Sequence, residues 1–363
     1  MIEEQLLDRA RKYLTVERTW SVLEAIVGTH APSQTVAYTR AETIRRILDT
    51  ERVPVAHFAG NWEQTGNALL YFGARLPRYL FFAHADEISY LVGPRLTADT
   101  WTLVPYCKHL SEAELDAVAL RYSSVGRGLE VAARGSIVPG SRPVEDAPMF
   151  RLRSGELQSG DRVIYDLPPR REGDRVLGNM DNAAGVAACV LAAIAIAHFA
   201  PETEVGFVFT DEEEGPAAHH SSFARGARRW LNKAGAPDVA VVVDGHLGPS
   251  GTALGDGARF GICSGQGAAT VTPPPLFAAF RELVREMQAH RINIQENFEP
   301  ISRGDDTALV EFTNSILLVG YPAGNRHFQR GPSHAVLSDL VAASQVIFCT
   351  ALYLKNLTTR PIS

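Results

Sequence analysis

The chain has 363 residues, 45% of them hydrophobic and 21% charged, with a net charge of −6. That length allows a large core and more than one domain, in an ordinary globular composition. The scattered basic residues argue against a nucleic-acid partner. Cys107, Cys189, Cys263 and Cys349 are widely spaced with no CxxC pair, which argues against a disulfide framework or a structural zinc knuckle and for reduced thiols in a cytoplasm.

In chain order, MIEEQLLDRARKYL carries acids where a signal peptide would be basic. It reads as an amphipathic helix with Ile2, Leu6, Ala10, Tyr13 and Leu14 on one face. YLFFA (79–83) reads as a buried strand. Residues 93–175 change character: GLEVAARGSIVPG and GDRVIYDLPP are short strand-like pieces with Gly and Pro turns, and SEAELDAVALRY offers at most one short helix. They are read as an inserted β-rich domain, for oligomerisation or substrate access, in a discontinuous catalytic domain of residues 1–92 and 176–363. AAGVAACVLAAIAIAHFA (183–200) is long enough to cross a bilayer. Its alanines, Gly185, His198 and the following Pro201 instead suit a helix buried against a sheet, so no membrane partner is expected.

EVGFVFT (204–210), DVAVVVD (238–244) and SILLVG (315–320) are further strands of the doubly buried kind. Helices are expected at 183–198, near 221–233, and at 276–290, where Phe277, Phe280, Val284 and Met287 recur at helical spacing. This alternation predicts a three-layer α/β/α fold with a mixed, mostly parallel sheet. GDGARFG (255–261) reads as a tight turn between strands, and GICSG (261–265) lacks the strand-turn-helix context of a nucleophile elbow.

Several ionisable clusters share one position, at or just past a strand end or at a helix start. His84 and Asp86 follow YLFFA, Asp181 precedes the apolar helix, Asp211, Glu212, Glu213 and Glu214 follow GFVFT, and Asp244 ends VAVVVD. Open α/β sheets bind ligands beyond the carboxyl ends of their strands. Acids gathered there repel one another unless a cation sits among them. Oxygen ligands with one or two imidazoles suit zinc, manganese or cobalt. Taken singly each cluster has a plainer reading: a core histidine, a solvated acidic loop, an N-cap. Their ordered recurrence favours the metal site.

HADEI, the Asp of MDNAAG, EEEG, VVVD and a late histidine together resemble the ligand series of the dinuclear zinc aminopeptidases. The match is nearest to the glutamyl and tetrahedral aminopeptidase family, with its deblocking aminopeptidases. DNAAG, however, is more like the secreted leucine aminopeptidase type. His84 and Asp181 are 97 residues apart and Asp244 and His327 are 83 apart, so the extra domain falls between the first and second ligands. That placement resembles the aminopeptidases rather than the deacylase and carboxypeptidase relatives.

The resemblance implies two divalent ions, zinc with cobalt or manganese as alternatives. Asp181 would bridge them, His84 and Asp244 would hold one, and Glu213 and His327 the other. Glu212 would be the general base toward the attacking water, or Glu213 if the register slips by one. Asp86 would accept a hydrogen bond from the His84 imidazole, and His334 is the alternative to His327. Glu87 acquires no role. The implied activity is removal of N-terminal residues from peptides by a homo-oligomer, from dimer to dodecamer. An N-acyl-amino-acid deacylase or carboxypeptidase, or an inactive homologue that binds, remain alternatives.

Overall fold

The computed structural model describes residues 3–53, 57–107, 109–126, 128–140, 146–216, 223–246, 254–265 and 269–357. Helices α1 (Glu4–Tyr13), α2 (Val16–Val27) and α3 (Arg40–Thr50) lead into strands β1 (His57–Ala59), β2 (Ala68–Tyr71) and β3 (Tyr79–His84). Six strands follow: β4 (Tyr90–Arg95), β5 (Thr100–Pro105), β6 (Leu115–Ser123), β7 (Gly128–Val138), β8 (Met149–Gly155) and β9 (Arg162–Tyr165). They close a barrel in the order β4-β5-β8-β7-β6-β9. After β10 (Arg170–Glu172) and β11 (Arg175–Gly178) come α4 (Ala183–Phe199), β12 (Gly206–Thr210), α5 (Arg225–Ala234), β13 (Val239–His246) and β14 (Ala258–Gly261). The chain continues through α6 (Pro274–Ala289), β15 (Ile294–Asn297), α7 (Asp306–Leu309), β16 (Ile316–Pro322), β17 (Ser333–Val336) and α8 (Leu337–Leu357).

Eight strands form one mixed sheet in the order β1-β2-β12-β3-β13-β16-β14-β15. Its four central strands, β12, β3, β13 and β16, are mutually parallel, so their carboxyl ends open on one edge. Side chains alternate along them. Phe81, Ala83, Phe207 and Phe209 face a layer built from α4, α2, α6 and α8. Leu80, Phe82 and Val208 pack against Trp230 and Leu231 of α5 on the other face. This is the expected three-layer α/β/α architecture.

The alanine-rich run is α4, and every residue from Ala183 to Ala197 is buried. It packs on α2, α8, β3 and β13, and its small side chains permit that approach from all sides. It is a core helix rather than a membrane span. α8 is also long and apolar enough to span by length and composition, and most of it is buried inside the protein.

Two local expectations change. SEAELDAVALRY gives no helix; its second half is β6, in which Ala117, Val118, Ala119 and Leu120 are all buried. Pairing with β7 on one side and β9 on the other overrides the helical propensity of Ala and Leu. In GDGARFG only residues 255–257 turn, and Ala258–Gly261 is a strand of the main sheet. Residues 221 and 222 of the expected helix near 221–233 lie outside the described residues.

Candidate metal centre

β3 ends at His84, and residues 85–89 cross over to the barrel, so Asp86 does not continue the strand. The imidazole Nδ1 of His84 lies 3.6 Å from the Asp86 carboxylate and 3.3 Å from the Asp86 carbonyl. The carboxylate's hydrogen bonds come from elsewhere. It accepts from the backbone N–H groups of Glu213 and Glu214, each at 3.1 Å, and from Ser33 Oγ at 2.6 Å. Asp86 therefore ties the acidic loop after β12 to the segment after β3. Register strengthens the tie, because His84 is directly opposite Thr210 across the parallel pair.

Asp181 precedes α4, and Asn182 caps the helix by accepting from the Gly185 N–H at 3.2 Å. A Cβ on Gly185 would stand 2.2 Å from that cap oxygen, which accounts for the glycine in DNAAG. Asn182 also donates to the Val243 carbonyl at 2.7 Å, and Tyr321 donates to the Met180 carbonyl at 3.0 Å. The start of α4 is thus clamped to the ends of β13 and β16. Asp244 lies near the end of β13, opposite Gly320.

These segments converge. His84 Nε2 lies 3.4 Å from Asp181 Oδ1, 3.8 Å from Glu213 Oε2 and 3.9 Å from Asp244 Oδ1. His327 Nε2 lies 3.9 Å from Asp181 Oδ2. Three triads hold donor atoms close enough to share an ion: His84, Asp181 and Asp244; His84, Glu213 and Glu214; Cys107, Glu214 and His327. His334 belongs to none of these triads and sits in β17, paired across from Leu177. Glu212 is also absent from them. Its Oε1 accepts from Gln34 Nε2 at 2.9 Å, and its other oxygen pairs with Arg229. The backbone turn that brings Glu213 and Glu214 onto Asp86 leaves Glu212 between the Gln34 amide and the Arg229 guanidinium.

Sequence reasoning passed over Arg326, Cys107 and Asp305. Arg326 donates from Nε to Asp181 Oδ2 at 2.8 Å and from Nη2 to Asp181 Oδ1 at 3.1 Å; Nη2 is also 3.6 Å from Asp244 Oδ1. The signal for it was its place beside His327. Asp305 is buried, accepts from Thr210 Oγ1 at 2.6 Å, and begins the acid pair of RGDDT. Phe328, next to His327, enters the barrel core with its ring 4.4 Å from that of Tyr165. Asn325, His327 and Phe328 all have left-handed backbones, with φ of 53–57°. This is unusual for residues with a Cβ, and the burial of Phe328 helps hold the turn.

The electrostatics follow from burial among like charges. Burial pushes the Glu214 carboxyl up to about 8, with Asp181 adding to the push, and Asp305 up to about 7. Burial also raises Glu213 well above the carboxylate range. Asp181 goes the other way, because Arg326 and His84 outweigh its burial. Burial pushes His327 down to about 4 against the pull of Asp181, which leaves a neutral imidazole. His84 Nε2 and Glu214 Oε1 are buried without a hydrogen-bond partner, and a guanidinium already stands among the acids. The donor set therefore fits divalent cations, with the oxygen and imidazole chemistry that zinc, manganese and cobalt accept.

The parallel strands thus gather the acid and imidazole cluster at the carboxyl edge of a mixed α/β sheet. Residues 169–353, about half of the chain, match peptidase family M20/M25/M40, and the chain belongs to that family. No curated protein matches it. Among solved structures it is similar to an aminopeptidase from the archaeon Desulfurococcus kamchatkensis, at 18% identity over 96% of this chain and 99% of that one, with a TM-score of 0.71. A TET aminopeptidase from a marine sediment thaumarchaeon is similar at 15% identity over 96% and 99%, with a TM-score of 0.75. The TET1 peptidase of Pyrococcus horikoshii, which can assemble into a tetrahedron or a large octahedral shell, is similar at 18% identity over 92% and 99%, with a TM-score of 0.69. At these identities the likeness is one of fold.

Proposed function

We propose that this peptidase is a metal-dependent aminopeptidase with two divalent-ion positions sharing the Asp181 carboxylate. His84 and Asp244 would hold one ion, and Glu214 and His327 the other. The observation that carries the reading is the buried His84 Nε2, within 4 Å of carboxylates from three separate segments. A pair of ions held here would make a bound water acidic near neutral pH and polarise the scissile carbonyl.

The chain's own residues account for the remaining steps. Glu213 is the general base: it is buried beside His84, and its raised pKa suits a group that takes a proton from the water and hands it to the leaving amine. Asp86 fixes Glu213 and Glu214 through their backbone N–H groups. Surplus carboxylates such as Asp305 would anchor the substrate's α-ammonium and confine cleavage to the N-terminus.

We also infer self-association through the barrel. Its strands and turns expose the large hydrophobic residues Leu96, Val104, Val125 and Val131, and the similar TET1 peptidase assembles into closed shells.

The test compares Glu213→Gln and Glu212→Gln with the wild type on aminoacyl chromogenic substrates and N-acyl amino acids. Glu213→Gln should keep its metal and lose at least ~10²-fold in turnover, while Glu212→Gln falls far less. The reverse order would return the base to Glu212. Faster cleavage of N-acyl amino acids than of free-amine substrates would remove the aminopeptidase reading in favour of a deacylase.

A further inference from the structure

The barrel also sends a side chain to the cluster. Cys107, two residues past β5, places its Sγ 3.9 Å from His327 Nδ1. A sulfur, a Glu214 carboxylate oxygen and a His327 ring nitrogen lie within 4.8 Å of one another. Cys107 is only 7% exposed. A second observation points to an occupant at this corner: Glu214 Oε1 is buried without a hydrogen-bond partner in the middle of the cluster, and the Cys107 thiol interacts with this carboxylate. The remaining cysteines lie elsewhere, Cys189 in α4, Cys349 in α8 and Cys263 just beyond β14.

We propose that Cys107 is a ligand of the ion held by Glu214 and His327, a thiolate supplied by the inserted barrel. The inference rests on the metal-centre reading above and adds a residue type that reading did not include. On binding, the thiol gives up its proton to solvent and the sulfur's lone pair forms the bond to the ion, so no oxidant or other reactant is needed. A thiolate, an imidazole and a carboxylate make a mixed soft and borderline set, which favours zinc or cobalt over manganese and magnesium. The position shared by His84, Asp181 and Asp244 has no sulfur, so the two positions differ in their preference for metals.

The geometry explains how this corner is held together. Phe328 is seated in the barrel core and fixes the turn that carries His327, while β5 delivers Cys107 from the same barrel. Ligands on both sides of the junction would tie the barrel's position to metal occupancy.

The full-length protein, stripped with a chelator and reloaded with cobalt(II), provides the test. Wild type should show the near-ultraviolet sulfur-to-cobalt charge-transfer band along with the visible bands of the ion. The charge-transfer band should vanish in Cys107→Ser and persist in Cys263→Ser. As a check that needs no variant, zinc should slow alkylation of Cys107 by iodoacetamide at least ~10-fold, read by mass spectrometry of its peptide. Visible cobalt bands without charge transfer, or equal alkylation with and without zinc, would overturn the proposal and make Cys107 a hydrogen-bond partner of His327, with the metal centre intact. Absence of both sets of bands, with no bound metal, would sink the metal-centre reading as well.

Discussion

Arg326 holds both carboxylate oxygens of Asp181, at 2.8 Å and 3.1 Å, with both side chains nearly buried. A forked guanidinium on a carboxylate is among the stronger polar contacts in proteins. It also occupies the oxygens that a bridging ligand must offer, so divalent ions compete with it. Arg326→Met should destabilise the metal-free protein by about 3–5 kcal/mol, the cost of leaving a buried charge unpaired. The same variant should bind zinc more tightly than wild type in a titration against a chelating dye. Unchanged affinity would show that the guanidinium and the ions do not compete.

Stability of the metal-free chain should depend on pH in a defined sense. Burial holds the Glu214 carboxyl up at about 8 and Asp305 at about 7, whereas unfolded carboxyls titrate near about 4. The folded state keeps protons that the unfolded state has released, so stability falls as pH rises through this interval. At His84 burial is outweighed by Glu213, Asp181, Asp86 and Asp244, which hold it well above its ordinary value. Above pH 6.5 it acts in the same direction. His327, down at about 4, opposes the trend only below its unfolded pKa. Between pH 6.5 and 8, chelator-treated protein should lose about 1.4 kcal/mol per pH unit for each proton of difference. Denaturation curves with excess zinc should show the opposite slope, because ligands must shed protons to bind the ion.

Glu87, without a role in the sequence, anchors the loop behind the site. It accepts from the Ala31 N–H at 2.5 Å, from Asn179 and from the fully buried Arg40 at 3.5 Å. Arg40 in turn donates to the carbonyl of Ala85, between His84 and Asp86, at 2.9 Å. Glu87→Gln should cost about 3 kcal/mol in chemical denaturation, since it leaves Arg40 short of its counter-charge. A double variant with Arg40→Met should cost less than the sum of the two single changes.

Asp86 orients its neighbours and should betray this in affinity. Asp86→Asn replaces an acceptor of two backbone N–H groups and the Ser33 hydroxyl with a group that is itself half donor. Zinc affinity should drop by about 10–100-fold, the usual penalty for losing a group that supports the ligands. Ser33→Ala, which removes one of the three hydrogen bonds, should cost about 1 kcal/mol of stability. Equal affinities for Asp86→Asn and wild type would show that the acidic loop is positioned by other contacts.

Much of this molecule was legible in the chain itself. Doubly apolar runs such as YLFFA and VAVVV suit strands inside a covered parallel sheet, and an alanine-rich, wholly apolar run such as that of α4 suits a helix packed closely on every side. His84 and Asp244 at the ends of those runs, with Asp181 just before α4, pointed to the strand ends, because buried ionisable groups need partners that the runs themselves do not supply. The tertiary structure decided what local pattern could not. SEAELDAVALRY became strand because β7 and β9 supplied partners on both sides. Glu213 and Glu214, rather than Glu212, face the cluster because Asp86 captures their N–H groups, a contact across more than a hundred residues. Arg326 joined the site through a turn pinned by Phe328, signalled only by its place beside His327, and Cys107 joined it from just beyond a barrel strand with no local signature. Periodicity and burial are properties of a segment. The choice of which acid faces which cation depends on distances that exist only once the segments have packed.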